Sequence, residues 1–466
     1  MKILHLSDIH MGSGFVHGRI DPETGHNTRL QDFVKSLARS IDRALSEPVD
    51  LVLFGGDAFP DATPAPYIQQ AFAAEFYRLV DANIPVVLLV GNHDQHAQGQ
   101  GGASLSIYRS LGVPGTIVGD KIETHTINTR SGEIQIVTLP WINRSTLLTR
   151  EVADNLSIPE VNQLLLEKLQ PCLEGEIRQL NPALPTILLA HLMADNATLG
   201  AEKLLAVGRG FTIPLAMLTR PCFDYVALGH VHRHQNLNKT NDPAVVYPGS
   251  IERVDFSEEK EDKGYILVSI EPTTQSAAKK FATTWEFCPL PVRTFRTIKI
   301  DVSKSEQPQA EILKAIEQVE IEDVVVRLIY QLSPDRVELI NTAAIHQALS
   351  TSHHYTIQAE LSSQLSKPRL PELGCTVGNP IDALSTYLDH RPDLKDIATE
   401  MIAAAEELMF EDKRSSAHRD RVLLEPESST DAISVHPTQL VGKASLKENR
   451  EQMATTETTN GQLTLL

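Results

Sequence analysis

A chain of 466 residues with 41% hydrophobic content has material for a large core, which excludes wholesale disorder and points to two or three domains. The formal net charge of −18 excludes broad coating of nucleic acid by the chain alone, because that affinity comes from Lys and Arg neutralising phosphates. Any hold on a phosphate polymer must then come from a local basic patch, bound cations or a partner.

The chain opens on an apolar run ending in LHLSDIH, which puts Asp8 and His10 at the carboxyl tip of a predicted buried strand. A polar loop over 11–28 follows, with His17, Arg19 and His26 as candidate phosphate contacts, and then a helix over 29–45. Residues 49–54 form a second strand, with Gly55 and Gly56 turning the backbone before Asp57. After Pro66 a helix carries Ile68, Phe72, Phe76 and Leu79 on one face, the spacing of core packing. A third strand over 86–90 delivers Asn92, His93 and Asp94 in the motif LVGNHD, and His96 reads as a loop residue.

Further strands are expected over 115–119, 121–129 and 133–139, with a hairpin turn at Ser131 and Gly132. Residues 143–180 read as a surface helix with Val161, Leu164, Leu165 and Leu169 as its stripe. A strand over 186–190 ends at His191, and the polar stretch after it offers Lys203 and Arg209 as candidate positive charge. The strand over 225–228 leads into GHVHRH, which carries His230, His232 and a third imidazole, His234, a partner of a ligand or a bystander. The four cysteines, Cys172, Cys222, Cys288 and Cys375, are far apart without a CxxC pair and are expected to be buried thiols in a reducing compartment. With no leader peptide apparent and no run near the ~18 apolar residues that span a bilayer, a cytoplasmic protein without a membrane partner is expected.

Five times, then, ligand-type residues follow a strand-like run, and in an α/β fold the carboxyl ends of strands form one rim. Two carboxylates, one amide and four imidazoles with no thiolate suit borderline divalent ions. Seven donors are too many for one ion with an open position. If Asp57 bridges, Asp8, His10 and His232 serve one ion and Asn92, His191 and His230 the other, the clamp used for in-line displacement at phosphorus. His93, beside Asn92, is the candidate general acid.

DIH, GGD, GNHD, an AH after a strand, and GHVH resemble the calcineurin-like metallophosphoesterase superfamily over roughly residues 1–270. The segment VVYPGSIERVDFSEEKEDKGYILVSI, and Arg29 and Asp32 after the first motif, are similar to the SbcD branch of DNA repair nucleases. The resemblance implies a four-layer αββα sandwich, two divalent metal ions with Mn²⁺ as the expected species, and a hydrolase acting on DNA as double-strand exonuclease and single-strand endonuclease in repair, recombination and replication. It also implies an SbcC-like coiled-coil ATPase as partner and a homodimer within a heterotetramer. Relatives usually carry His or Asp three residues after the bridging aspartate; here that position is Pro60, so any such role is absent or moved, with Asp61 the nearest alternative.

The nuclease domain is expected over 1–290, leaving by the Pro-rich PLPV. Residues 296–302, 309–319, 324–332, 336–349 and 355–361 alternate strand and helix, a small α+β domain over 291–370 that the resemblance to SbcD relatives implies is a capping domain positioning DNA. A Pro and Gly linker precedes amphipathic C-terminal helices over 379–412, whose stripe suits docking on another protein or folding back on the capping domain and which the resemblance implies dock on the ATPase, and a polar disordered tail over 413–466. The alternative function is a small-molecule or phosphoprotein phosphoesterase on the same dinuclear scaffold, which the acidic charge favours.

Overall fold

The computed structural model describes residues 1–96, 102–142, 158–198, 200, 212–273, 280–362 and several residues between 384 and 405. Strands β1 (Lys2–Leu6), β2 (Leu51–Phe54) and β3 (Val86–Leu89) are apolar and buried almost throughout, the pattern of strands covered on both faces. Alternation then divides their side chains. Leu4, Leu6, Val52, Phe54, Val86 and Leu88 point to one side, and Ile3, Leu51, Leu53, Val87 and Leu89 to the other.

These three strands and β4 (Thr116–Gly119) run parallel, and the hairpin of β13 (Gly264–Pro272) and β14 (Phe281–Pro289) extends the sheet beyond β1. The second six-stranded sheet centres on three parallel strands, β7 (Thr186–His191), β10 (Tyr225–Gly229) and β12 (Ala244–Tyr247). The hairpin of β5 (Glu123–Thr129) and β6 (Gly132–Leu139) closes one side and β11 (Gln235–Asn236) the other. A short pair, β8 (Met193–Ala194) and β9 (Thr212–Ile213), stands apart.

Leu53, Leu89, Ile136, Leu189 and Ala227 lie in one apolar cluster where the two sheets face each other. Outside the first sheet pack α1 (Thr28–Ser46) and α2 (Pro66–Asp81), and α3 (Ser106–Ser110) adds a short turn before β4. Asn27 caps α1 by accepting from the Arg29 backbone N–H, and Leu30, Phe33, Leu37, Ile41 and Ala44 form its buried stripe. Outside the second sheet lie α4 (Ile158–Gln179), anchored by Val161, Leu165, Leu169 and Leu173, and α5 (Leu215–Leu218). The result is the four-layer αββα sandwich.

Beyond Leu290, β15 (Phe295–Asp301), β16 (Val325–Leu332) and β17 (His354–Leu361) form a parallel sheet in that order. The crossovers pass through α6 (Pro308–Glu317) and α7 (Thr342–Ala348), which bury Ile312 and Ile345 against Ile298, Val326 and Leu328. The single helix expected over 336–349 is instead a 3-10 turn, Pro334–Leu339, followed by α7. Ile340 is extended, and Asn341 accepts from the Ala344 N–H, so a new cap restarts the helix.

This small sheet is fastened to α1 by Arg293. Its guanidinium bonds both carboxylate oxygens of Asp32, at 2.5 and 2.7 Å, and Asp323 at 2.7 Å. His353 repeats the bridge, with Nε2 2.8 Å from the Thr28 hydroxyl and Nδ1 3.1 Å from Asp323. Arg29, fully buried, pairs with Asp32 at 2.6 Å.

The expectation of buried thiols is corrected: Cys172 is exposed, and Cys222 and Cys288 are half-buried. The chain divides into a compact unit Met1–Gln364 and a second unit Leu365–Leu466. In the latter, residues 384–385, 387–388 and 398–403 are helical. Lys203, Arg209, Cys375, residues 143–157, most of 379–412 and all of 413–466 lie outside the described residues. No helix among the described residues is long and apolar enough to cross a membrane.

Truncation of Arg293 strips a bidentate partner from a buried carboxylate. Arg293→Ala is expected to lower stability by about 2 kcal/mol and to speed amide exchange in β15–β17 more than in β1–β3. Urea titration and hydrogen–deuterium exchange measure the two effects.

Candidate metal centre

The strands that carry motif residues belong to different sheets, β1, β2 and β3 to one and β7 and β10 to the other, yet their carboxyl ends share one rim. Asp8, His10 and His232 bring ligand atoms within 4.8 Å of one another, and Asp57, His191 and His230 do the same. His10 Nε2 and His232 Nε2 face each other at 3.0 Å. Asp57 Oδ2 lies 3.6 Å from His10 Nε2 and 3.4 Å from His191 Nε2, between the two groups. Asn92 Oδ1 is 3.0 Å from His191 Nε2 and 2.9 Å from His230 Nδ1. All seven predicted donors therefore meet.

His93 stands at the edge, its ring T-shaped against His10 at 4.8 Å between centroids. Its backbone N–H donates to Asp57 Oδ1 at 2.9 Å, and its Nδ1 lies 2.7 Å from the carbonyl of Pro60. The alternative holder suggested by sequence, Asp61, is turned away: it accepts from the Thr63 backbone and hydroxyl in an exposed turn. A main-chain carbonyl thus orients the imidazole where no acidic side chain stands.

The local backbone is unusual. Asp8 (φ 52°), His10 (φ 47°), Asp57 (φ 59°) and His230 (φ 103°) all occupy positive φ, which costs a non-glycine residue of order 1–3 kcal/mol and persists where surroundings impose it. Bonds from Asp8 N–H to the Gly56 carbonyl and from His10 N–H to the Asp57 carbonyl, both 3.0 Å, impose it here. Gly56, at φ 100°, could not carry a side chain, since a Cβ would stand 2.5 Å from His191 Nδ1. At Gly91 a Cβ would stand 2.1 Å from Asp57 Oδ1. Asp94 ties the loops: its carboxylate accepts from the backbone N–H groups of Asp57, Ala58 and Gly91 at 2.9 to 3.1 Å.

Burial raises Asp8 to about 6, against the pull of His191 and His232. Burial pulls Asp57 up as well, but His191 beside it wins and keeps the carboxyl well below its ordinary range. The reciprocal effect acts on His191: burial lowers it, and Asp57 with Asp8 outweigh that and raise it to about 9. Burial, helped by neighbouring imidazoles, holds His10 well below its usual value and His230 at about 3. His10 and His230 are thus neutral and offer lone pairs.

These residues fit a pair of divalent cations. The set is oxygen and imidazole nitrogen, and two nitrogens, His10 Nε2 and His232 Nε2, point at each other. Other sequence candidates fall elsewhere. His17 packs edge-on against Phe256 and Phe295, His26 stacks on Tyr67, and Arg19 is exposed. His234 bonds the Tyr247 carbonyl and stacks on Phe287, away from the cluster.

Three contributors were invisible in the sequence. Asp94 read as part of GNHD without a job, Trp141, whose ring lies 4.8 Å from that of His230, had no motif, and Glu258, 2.7 Å from His232 Nδ1, looked like one acid among several. The DFSEEKEDKG stretch was the one signal for the last of these, an acidic run 26 residues beyond His232 at Glu258.

Among curated proteins, the chain is similar to the SbcD component of the nuclease SbcCD from Rhodobacter capsulatus, at 28% identity over 58% of this chain and 66% of that protein. It is likewise similar to the SbcD component of the same nuclease from Staphylococcus epidermidis, at 26% identity over 58% of this chain and 66% of that one. The chain thus spans just under two thirds of the length of these relatives. A solved dimetal phosphatase from Danio rerio aligns over 61% of this chain and 98% of its own, with 12% identity and a TM-score of 0.36. The pattern of the calcineurin-like phosphoesterase family matches residues 1–234, half of the chain, and with the αββα sandwich and the rim of donors already in place the chain belongs to that family.

Proposed function

We propose that this chain is the nuclease component of an SbcCD-like complex, a metal-dependent hydrolase of DNA phosphodiester bonds serving repair and recombination. The observation that carries the reading is the meeting of seven donors around Asp57, whose Oδ2 lies 3.6 Å from His10 Nε2 and 3.4 Å from His191 Nε2, with His93 grouped beside His10 and Asp57. The likeness to two proteins named as the SbcD component of the nuclease SbcCD supports a nucleic acid as substrate, which we take to be DNA, and an SbcC-like ATPase as partner. In this reading Asp8, His10 and His232 serve one ion, Asn92, His191 and His230 the other, and Asp57 both. The ions, Mn²⁺ by this proposal, would activate water and stabilise the charged oxygens of in-line displacement.

The protein's own groups do the rest. Asp94 and the Gly91 turn keep the Asp57 carboxylate in place, and neutral His10 and His230 present lone pairs. His93, with Nδ1–H donated to the Pro60 carbonyl, keeps Nε2 for the proton that the leaving oxygen needs. Residues 291–370 act as a cap that positions DNA, residues 379–412 dock on the ATPase, and the assembly is a homodimer within a heterotetramer. A second reading, a small-molecule or phosphoprotein phosphoesterase on the same scaffold, is favoured by the net charge of −18, which repels a polyanion.

End-labelled duplex DNA incubated with Mn²⁺, with and without a coiled-coil ATPase from the same cell, separates the two. Degradation lost in Asp57→Ala is expected. His93→Ala is expected to retain both ions while cleavage falls by about 10²–10⁴-fold. Intact DNA together with rapid turnover of a cyclic nucleotide or phosphopeptide would transfer the assignment to the second reading.

Metal loading should also depend on pH. His191 is raised to about 9 in the metal-free protein, so near neutrality it holds a proton that a cation must displace. Apparent Mn²⁺ affinity is expected to rise about tenfold per pH unit between 6.5 and 8.5. Calorimetry in buffers of different ionisation enthalpy should count close to one proton released.

A further inference from the structure

A fully buried lysine and a fully buried glutamate stand behind His232, and the reaction as described uses neither. Glu258 and Lys263 are 0% and 1% exposed. A lysine ammonium has three N–H groups, and each of Lys263's has an acceptor. They reach the His232 carbonyl at 3.0 Å, Glu258 Oε2 at 2.9 Å and Glu261 Oε2 at 2.8 Å. Glu258 is equally constrained. Its Oε2 also accepts from the Val254 N–H at 3.0 Å and lies 3.4 Å from the Ser250 hydroxyl, which leaves Oε1 for the 2.7 Å contact with His232 Nδ1.

Burying a lone carboxylate or ammonium is costly, and removing one member of such a pair strands the other. A group of this kind kept 2.7 Å from an imidazole therefore has a purpose beyond packing. The other imidazoles of the cluster have weaker support. His191 Nδ1 donates to a neutral carbonyl, that of Gly55, at 2.7 Å, and His230 faces Asn92 with its second nitrogen unpartnered. The two halves of the site are thus supported unequally.

We propose that Glu258, fixed by Lys263, is a positioning residue: it locks His232 as the Nδ1–H tautomer, aims the Nε2 lone pair at the site shared with Asp8 and His10, and makes that half of the centre the tighter cation site. A carboxylate can only accept, so the proton between them belongs to Nδ1, and in the neutral ring the lone pair is on Nε2, which faces His10 Nε2 at 3.0 Å. The negative charge transmitted through the ring makes Nε2 a better donor, as carboxylate–histidine pairs do in metal sites generally. Lys263 allows the charge to stay where water cannot reach it. The proposal rests on the two-cation reading above, and its test separates the two.

The experiment uses the full-length protein, Mn²⁺ alone as probe, and Glu258→Gln, Glu258→Ala and Lys263→Met. Nitrogen shifts of the histidine rings are recorded first without metal, His232 being assigned by loss of its signals in His232→Asn. Wild-type protein should show Nδ1 protonated and Nε2 bare, and Glu258→Ala should shift the pair toward a tautomer mixture. Mn²⁺ titration followed by electron paramagnetic resonance should then show two equivalents in every variant. One should weaken by about tenfold in Glu258→Gln and about 100-fold in Glu258→Ala, with the second within about twofold of wild type. Glu258→Gln keeps the size and an acceptor, so it reports on charge even if Glu258→Ala folds poorly, and Lys263→Met should weaken the same equivalent. Unchanged ring shifts, or two wild-type affinities in Glu258→Gln and Glu258→Ala, would overturn the proposal. Failure of the wild-type protein itself to bind Mn²⁺ would instead overturn the two-cation reading on which it rests.

Discussion

The carboxylate of Asp57 is the point through which every other part of the rim is related. It lies within 3.6 Å of an imidazole from each donor group, its backbone is in the left-handed region, and its N–H is tied to Asp94. Few arrangements meet all three demands. A left-handed turn is needed to swing the side chain back over the end of β2, and a glycine is needed at 91 because no Cβ fits beside Oδ1. A buried acceptor is needed to satisfy the amides that the turn frees. GGD and GNHD are therefore halves of one device, joined by hydrogen bonds that span 36 and 37 residues of sequence.

Much of this was readable in the chain because strands buried on both faces leave an unmistakable trace. Uninterrupted apolar runs located β1, β2, β3, β7 and β10, and a polar motif after each run located the donors. What stayed hidden depends on tertiary contact. Pro60 looked like a loss, since the sequence shows side chains and the useful group is its carbonyl. His17 looked like a phosphate contact because loops are polar, yet it is absorbed by Phe256 and Phe295, 239 and 278 residues away. The helix expected over 336–349 failed for a different reason: its apolar spacing was helical, but Asn341 prefers to start a helix and not to continue one.

The stretch from Ser250 to Arg293 connects the rim to the small sheet beyond Leu290. Glu258 touches His232, and Arg253, two residues from Asp255, donates to the carbonyls of Glu258, Glu261 and Arg293. Arg293 in turn grips Asp32 on α1, the helix that begins where the first rim loop ends. Most of these contacts are charge-assisted and poorly accessible to solvent, which makes them short-ranged, directional and insensitive to salt. These contacts make the described part of the segment a strut between the rim and the small sheet.

The two donor groups draw on both sheets: Asp8, His10, Asp57 and Asn92 stand on one, His191, His230 and His232 on the other. The apolar layer between the sheets therefore acts as a ruler, its thickness fixing how far apart the opposing donors stand. Ala227 and Leu53 belong to that layer and are not among the donors, yet swelling or thinning it there would change the gauge of the rim. Residues chosen for nothing but volume thus carry part of the chemistry's tolerance.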